Sequence, residues 1–150
     1  MSLVWNWKIF DELTTAELYS ILQLRQEVFV VEQQCWYLDA DNKDQFAHHL
    51  LGKNQDGILL AYARIIPPGK QFENEASFGR IITSLKIRRD GYGKHAMALI
   101  LEKIVSQFGK VPVRIEAQAY LVPFYHSFGF HAEGEEFDMD GLPHIEMLRP

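Results

Sequence analysis

A chain of 150 residues that is 47% hydrophobic and 23% charged has the length of a single domain and an ordinary globular composition. Its formal charge of −5 argues against a nucleic-acid-binding surface, and no apolar run approaches the about 18 residues of a membrane helix. Cys35, the one cysteine, excludes an internal disulfide; with no signal-peptide pattern at the start, it fits a reducing cytoplasm.

Val4 to Phe10 carries aromatic and β-branched residues in alternation and reads as a first strand. Thr14-Thr15-Ala16-Glu17 has the form of a capping box, with Thr14 as the N-cap and Glu17 reaching back to it. The spacing predicts a helix from there to about Val30, with Leu18, Ile21, Leu22, Val28 and Phe29 on its apolar face. Arg25 falls inside that stripe, so its charge must be paired or reach a cleft. A structural salt bridge and a contact to substrate or cofactor are both open.

From Glu32 to Asp44 the chain turns irregular and acidic, with Cys35, Trp36 and Tyr37 interleaved. Counted from Asp39, the sixth and twelfth places of an EF-hand loop hold Asp44 and Leu50 instead of Gly and Glu, which excludes that calcium site. His48 and His49 are adjacent, face opposite sides of a strand, and have no further ligand at metal spacing, so no metal is expected. The segment reads as an acidic and aromatic lip over a cleft, suited to a cationic amine.

Two strands, Phe46 to Gly52 and Ile58 to Ile66, flank an Asn54-Gln55-Asp56-Gly57 hairpin turn. The second is apolar on both faces, which places it centrally in a sheet. Pro67-Pro68-Gly69 ends it, and Lys70 to Glu75 is a polar loop. Ile81, Ile82 and Thr83 then form a short buried strand before a basic turn, Arg88-Arg89-Asp90-Gly91-Tyr92-Gly93-Lys94. Its glycines let main-chain N–H groups approach a ligand closely, and the helix start behind them favours an anion. A solvated loop is the plainer reading of the same residues. The spacing is neither a Walker A loop nor G-x-G-x-x-G; it is R-x-x-G-x-G, at Arg88, Gly91 and Gly93.

The helix that follows repeats Ala96, Ile100, Ile104 and Phe108 at intervals of four and stops at Gly109. Val113, Ile115, Ala117 and Ala119 alternate with Arg114, Glu116, Gln118 and Tyr120, a strand with one polar face. That face either lines a wet cleft or meets solvent. A short helix near Val122 to Phe128 and two strands, Phe130–Asp138 and His144–Leu148, complete the chain. The order predicts an α/β fold, a mixed sheet with helices on both faces.

R-x-x-G-x-G between a strand and a long helix resembles the pyrophosphate loop of the GNAT superfamily of acyl-CoA-dependent N-acyltransferases. Phe124-Tyr125-His126-Ser127-Phe128-Gly129-Phe130 resembles that family's [LF]-Y-x-x-x-G-F signature. Val28 to Tyr37 and Gly141 to Ile145 add a likeness to its ElaA-like branch, so the resemblance covers nearly the whole chain.

The resemblance implies one domain over 1–150 built on a seven-stranded, mostly antiparallel sheet, splayed between its fourth and fifth strands. It implies acetyl-CoA as donor, with the main chain of Ile81, Ile82 and Thr83 on the pantetheine arm. Arg88, Arg89, Asp90, Gly91, Tyr92, Gly93 and Lys94 would hold the pyrophosphate. Asp90 departs from the Arg or Gly of many relatives and weakens the local positive potential. The N–H of Ile82 or Thr83 would meet the oxyanion. Tyr125 matches the family's general acid, with core packing as its other reading, and Gln118 would orient cofactor or substrate. Glu116 on the polar strand face is the candidate base, with Glu32 and His144 as alternatives. Arg25, Glu32, His48 and His144 are candidate substrate contacts. The reaction implied is acetyl transfer to a primary amine of a small molecule or protein, by an enzyme whose relatives are often homodimers. Two other functions stay open. One is a non-catalytic CoA-binding sensor. The other is an enzyme using acyl-carrier protein, because Arg25, Phe29, Trp36 and Asp41 resemble acyl-homoserine lactone synthases.

Overall fold

Thr14 caps the first helix, α1 (Thr15–Arg25), by the reciprocal pair its sequence announces. Thr14 Oγ1 accepts from the Glu17 amide at 3.0 Å, and Glu17 Oε1 accepts from the Thr14 amide at 2.9 Å. The computed structural model describes residues 2–150 and, among them, seven strands and three α-helices. Four strands form one antiparallel sheet in chain order: β1 (Val4–Ile9), β2 (His48–Lys53), β3 (Leu59–Ile66) and β4 (Ser77–Thr83). Three more form a second antiparallel sheet, with β7 (Leu142–Arg149) between β5 (Val113–Gln118) and β6 (His131–Met139).

The alternation of each strand decides which helix it meets. On β2 and β3, Leu50, Ala63 and Ile65 turn to one face and pack with Met97, Ile100 and Ile104 of α2 (Tyr92–Phe108). Leu51 and Tyr62 turn to the other and pack with Ile21 and Leu24 of α1. All of β3 is buried, as its two apolar faces require of a central strand. The α2 stripe is buried at the predicted spacing, and Gly109, at φ 80°, ends the helix.

Element ends shift by several residues from the pattern. The first helix does not run on regularly to Val30; after Arg25 it widens into a π-helical turn, Gln26–Glu32. Phe10 leaves β1 for a short 3-10 turn, and Ala119 leaves β5 for another, Ala119–Leu121, ahead of the short α3 (Val122–His126).

Among the described residues the backbones of the two sheets pair at one parallel bridge, Ala76 to Val113. The Ala76 amide donates to Pro112 O at 3.0 Å and Ala76 O accepts from the Arg114 amide at 2.9 Å. Past that bridge no ladder joins β4 to β5 among the described residues, so their edges part into a wedge. This is the expected splay between the fourth and fifth strands.

Candidate active site

Glu116 and Gln118 follow Arg114 at two-residue steps, so their main-chain groups share its direction and face the wedge from β5. The opposite wall is less regular, because β4 carries a bulge. Gly79 pairs with Arg64 and Ile82 with Tyr62, leaving both Arg80 and Ile81 opposite Ala63. Arg80 takes the positive φ of 51° that relieves the extra residue. After the bulge the phase is reset: the Ser84 amide donates to Leu60 O at 2.8 Å, so Ile82 turns its main chain toward β3 and Thr83 toward the wedge. Ile82 therefore departs from expectation. Its backbone lies in the β3 ladder and its side chain is buried beside Ile21, whereas Ile81 and Thr83 are left at the open edge.

At the head of the wedge, Gly91 precedes α2 at φ 81° and Arg89 sits at φ 72°, which curls the main chain over the helix N-terminus. A Cβ at Gly91 or Gly93 would meet no atom within 4 Å, so both glycines front open space that an anion can approach. Arg89, Asp90, Gly91 and Lys94 are exposed around it. Arg88 has a different place. Its Nε donates to Thr83 O at 3.0 Å and its Nη2 to Glu32 Oε2 at 2.7 Å, which ties β4 to the end of the π-helical turn. The bond from Arg88 holds the Glu32 carboxyl below its ordinary range. Glu32 is thus a clamp on this loop and stands apart from the cleft where a base or substrate contact was expected.

A cavity of about 490 Å³ lies beside the wedge, between Phe29 and Tyr37 on one side and Glu116, Gln118, Tyr125 and His144 on the other. Tyr125 is 8% exposed, wedged among Phe78, Phe124 and Phe130, so packing and cleft access coexist in one side chain. Burial, aided by Tyr120, pushes its hydroxyl up to about 12. His144 is stacked against Phe137, with Nδ1 2.9 Å from Leu142 O. Gln118 Nε2 reaches Gln33 Oε1 at 3.5 Å, a loose contact across the cleft. Glu116 Oε1 accepts from Gln71 Nε2 at 3.2 Å, and Gln71 Oε1 accepts from Lys43 Nζ at 3.2 Å. Gln71, Lys43 and Arg80 escaped the sequence reading, since each lies in a different segment and none belongs to a motif. The one signal was Arg80, a charge inside the otherwise apolar run of β4.

Two candidates lie elsewhere. Arg25 is fully buried; its Nε and Nη1 donate to Asp39 Oδ2 and Asp44 Oδ1, each at 2.7 Å. Of its two readings the structural salt bridge holds: each of its three nitrogens donates within the wall, and the side chain does not line the cavity. His48 packs edge-on against Phe108 at the far end of α2, 5.6 Å between ring centres, away from the cleft. The acidic lip needs the same correction. Asp39, Asp41 and Asp44 are matched by Arg25, Arg64 and Arg80, so their charge is neutralised within the wall. Burial would raise Asp44, but Arg25 and Arg64 outweigh it and hold its carboxyl below the ordinary range.

An acyltransferase reading of this geometry has independent support in sequence and fold comparison. The family model for the acetyltransferase (GNAT) domain matches residues 16–149. The Escherichia coli protein ElaA is 41% identical over 147 residues, 97% of this chain and 95% of ElaA. A UPF0039 protein from Synechocystis is 41% identical over 148 residues, 99% of this chain and 96% of its own. An acyl-CoA N-acyltransferase from Pseudomonas aeruginosa superposes with a TM-score of 0.94 at 40% identity, covering 99% of this chain and 100% of that one. Escherichia coli ElaA superposes at 0.91 with 39% identity, covering 99% of each chain. A CoA-dependent acyl-homoserine lactone synthase reaches 0.76 at 16% identity over 98% of this chain and 82% of its own, a likeness of fold alone. The chain belongs to the GNAT family, on its ElaA-like branch, and is an N-acyltransferase that takes its acyl group from a CoA thioester.

Proposed function

We propose that residues 1–150 act as a single domain that passes an acetyl group from acetyl-CoA to a primary amine by direct attack, with no acyl-enzyme. The observation carrying this reading is the wedge between β4 and β5, whose open edges lead from the glycine loop to Tyr125. The residues fit the donor. An extended amide-bearing arm can pair with the exposed edges of β4 and β5 as an added strand would, and the loop offers amides to a diphosphate.

The chain's own groups then divide the work. The Ile81 and Thr83 edge supplies main-chain donors for the carbonyl oxygen as it gains charge. Tyr125 remains protonated at neutral pH and donates a hydrogen bond to the sulfur as it leaves. A phenol pushed up to about 12 is a weaker acid than a thiol near 8.5, so its role is to stabilise developing charge more than to surrender its proton outright. Glu116 accepts the proton that the ammonium must lose, directly or through water.

Thiol release from acetyl-CoA over a panel of amines tests the reaction. Tyr125→Phe keeps the ring among Phe78, Phe124 and Phe130 and removes only the hydroxyl. Its kcat falls by ~10²–10⁴ with little change in acetyl-CoA affinity. Undiminished turnover in that variant removes Tyr125 from the chemistry. Competition between acetyl-CoA and an acyl-carrier-protein thioester decides the donor.

A further inference from the structure

We propose that the acceptor is a small amino-carboxylate, its amine held at Glu116 and its carboxylate at Lys43. The proposal rests on the transferase reading and deepens it. On one wall three arginines (Arg25, Arg64, Arg80) face three aspartates (Asp39, Asp41, Asp44), and every one of the six is ion-paired within the set. Lys43 lines the same cleft and has no carboxylate partner among the described residues. Across from it, Arg114 pairs with Glu75, Glu133 and Glu146, while Glu116 lines the cleft with no cation partner among the described residues. Lys43 and Glu116 are therefore the half-buried ions of the cavity without an ion-pair partner among the described residues; Asp140, also unpaired, lies exposed at its rim.

What stands between them is informative. Gln71 turns its carbonyl oxygen to Lys43 and its N–H to Glu116, each at 3.2 Å. An acceptor oxygen toward the lysine and a donor nitrogen toward the glutamate is the pattern that a carboxylate and an adjacent ammonium present. In an α-amino acid the oxygen and nitrogen are separated by one carbon more than in a carboxamide, so the same two charges can be spanned with a small adjustment. Charge-assisted hydrogen bonds at both ends would be stronger than the neutral ones Gln71 makes. Binding also brings the amine to a carboxylate placed to deprotonate it.

The test pairs acceptors that differ only in the carboxylate: a panel of free L-amino acids, the matching amino-acid amides, and the matching decarboxylated amines, each assayed for thiol release from acetyl-CoA. The free acids should be preferred by about 10-fold or more in kcat/KM, the worth of one hydrogen bond to a charged group. Lys43→Met should collapse that preference by raising KM for the acids, and Lys43→Arg should restore it. If amides and amines react as well as acids, or if Lys43→Met leaves the preference intact, the inference fails and the transferase stands. If nothing in the panel releases thiol although calorimetry shows acetyl-CoA bound, the inference fails alone; if acetyl-CoA is not bound, the proposed donor fails with it.

Discussion

Arg25 illustrates how a single residue can be read correctly in kind and still be misplaced. A charge in a hydrophobic stripe demanded a partner, and the fold supplies Asp39 and Asp44 with no exposure left. Removing one member of such a set leaves uncompensated charge in the interior. Arg25→Met is therefore expected to cost ~3–5 kcal/mol, read as a lower midpoint in urea unfolding. Titration at this scale has a direction too. Glu17 is held to about 2: burial would raise it, but Lys53, Lys8 and its capping bond to Thr14 prevail. The unfolded carboxyl binds protons first, so that stabilisation is complete above the ordinary carboxylate range and lost as pH falls toward about 2. His49 adds an earlier loss. Burial lowers it between Tyr62 and Asp44 O, the folded state resists the proton, and stability begins to drop as pH falls below about 6.5. Melting temperatures across the acid range should show both steps, and a flat profile between neutral and pH about 5 would remove the histidine's part.

At the scale of elements, what was legible in the sequence was local. Thr14 with Glu17, the four-residue spacing of α2, Gly109 as its stop and the Asp140-Gly141 turn each lie within a few residues of the structure they set. The β5 alternation put Glu116 and Gln118 on one polar face for the same reason, but left open whether that face met cleft or solvent; both line the cavity. The bulge at Arg80 was not legible, because a two-against-one register is a property of β3 and β4 together. Nor were the partners of Asp39, Asp41 and Asp44, which lie 14 to 41 residues away along the chain. Lys43, Gln71 and Glu116 converge from three segments, and no spacing rule unites them. The glycine loop is the element most open to direct trial. Gly91→Val puts a branched side chain at φ 81° into the space before α2. Its affinity for acetyl-CoA should fall at least ~10-fold by calorimetry, since the amides can no longer be approached closely. Gly57→Val imposes similar strain at φ 79° in the β2–β3 turn and should destabilise without touching that affinity. Equal effects from the two would mean that the loop contributes conformation and no binding.

At the scale of the molecule, the described residues form two sheets and three α-helices organised about a gap. Its core is continuous across that gap: Leu50 and Ala63 from the first sheet share a cluster with Val113, Ile115 and Met147 from the second. Backbone pairing is not continuous, and this is what separates a wall that holds the halves together from an edge that can receive a ligand. The single bridge at Ala76 and Val113 works like the pin of a pair of dividers. A thioester arm laid between the legs would supply the missing rungs on both sides. Deuterium should then enter the amides of Glu116 and Gln118 quickly in the bare protein and slowly once acetyl-CoA is present, while Arg114, already bonded to Ala76, changes little. The seam would thus report its own occupancy, and the protein's resistance to heat and proteases would follow the supply of its donor.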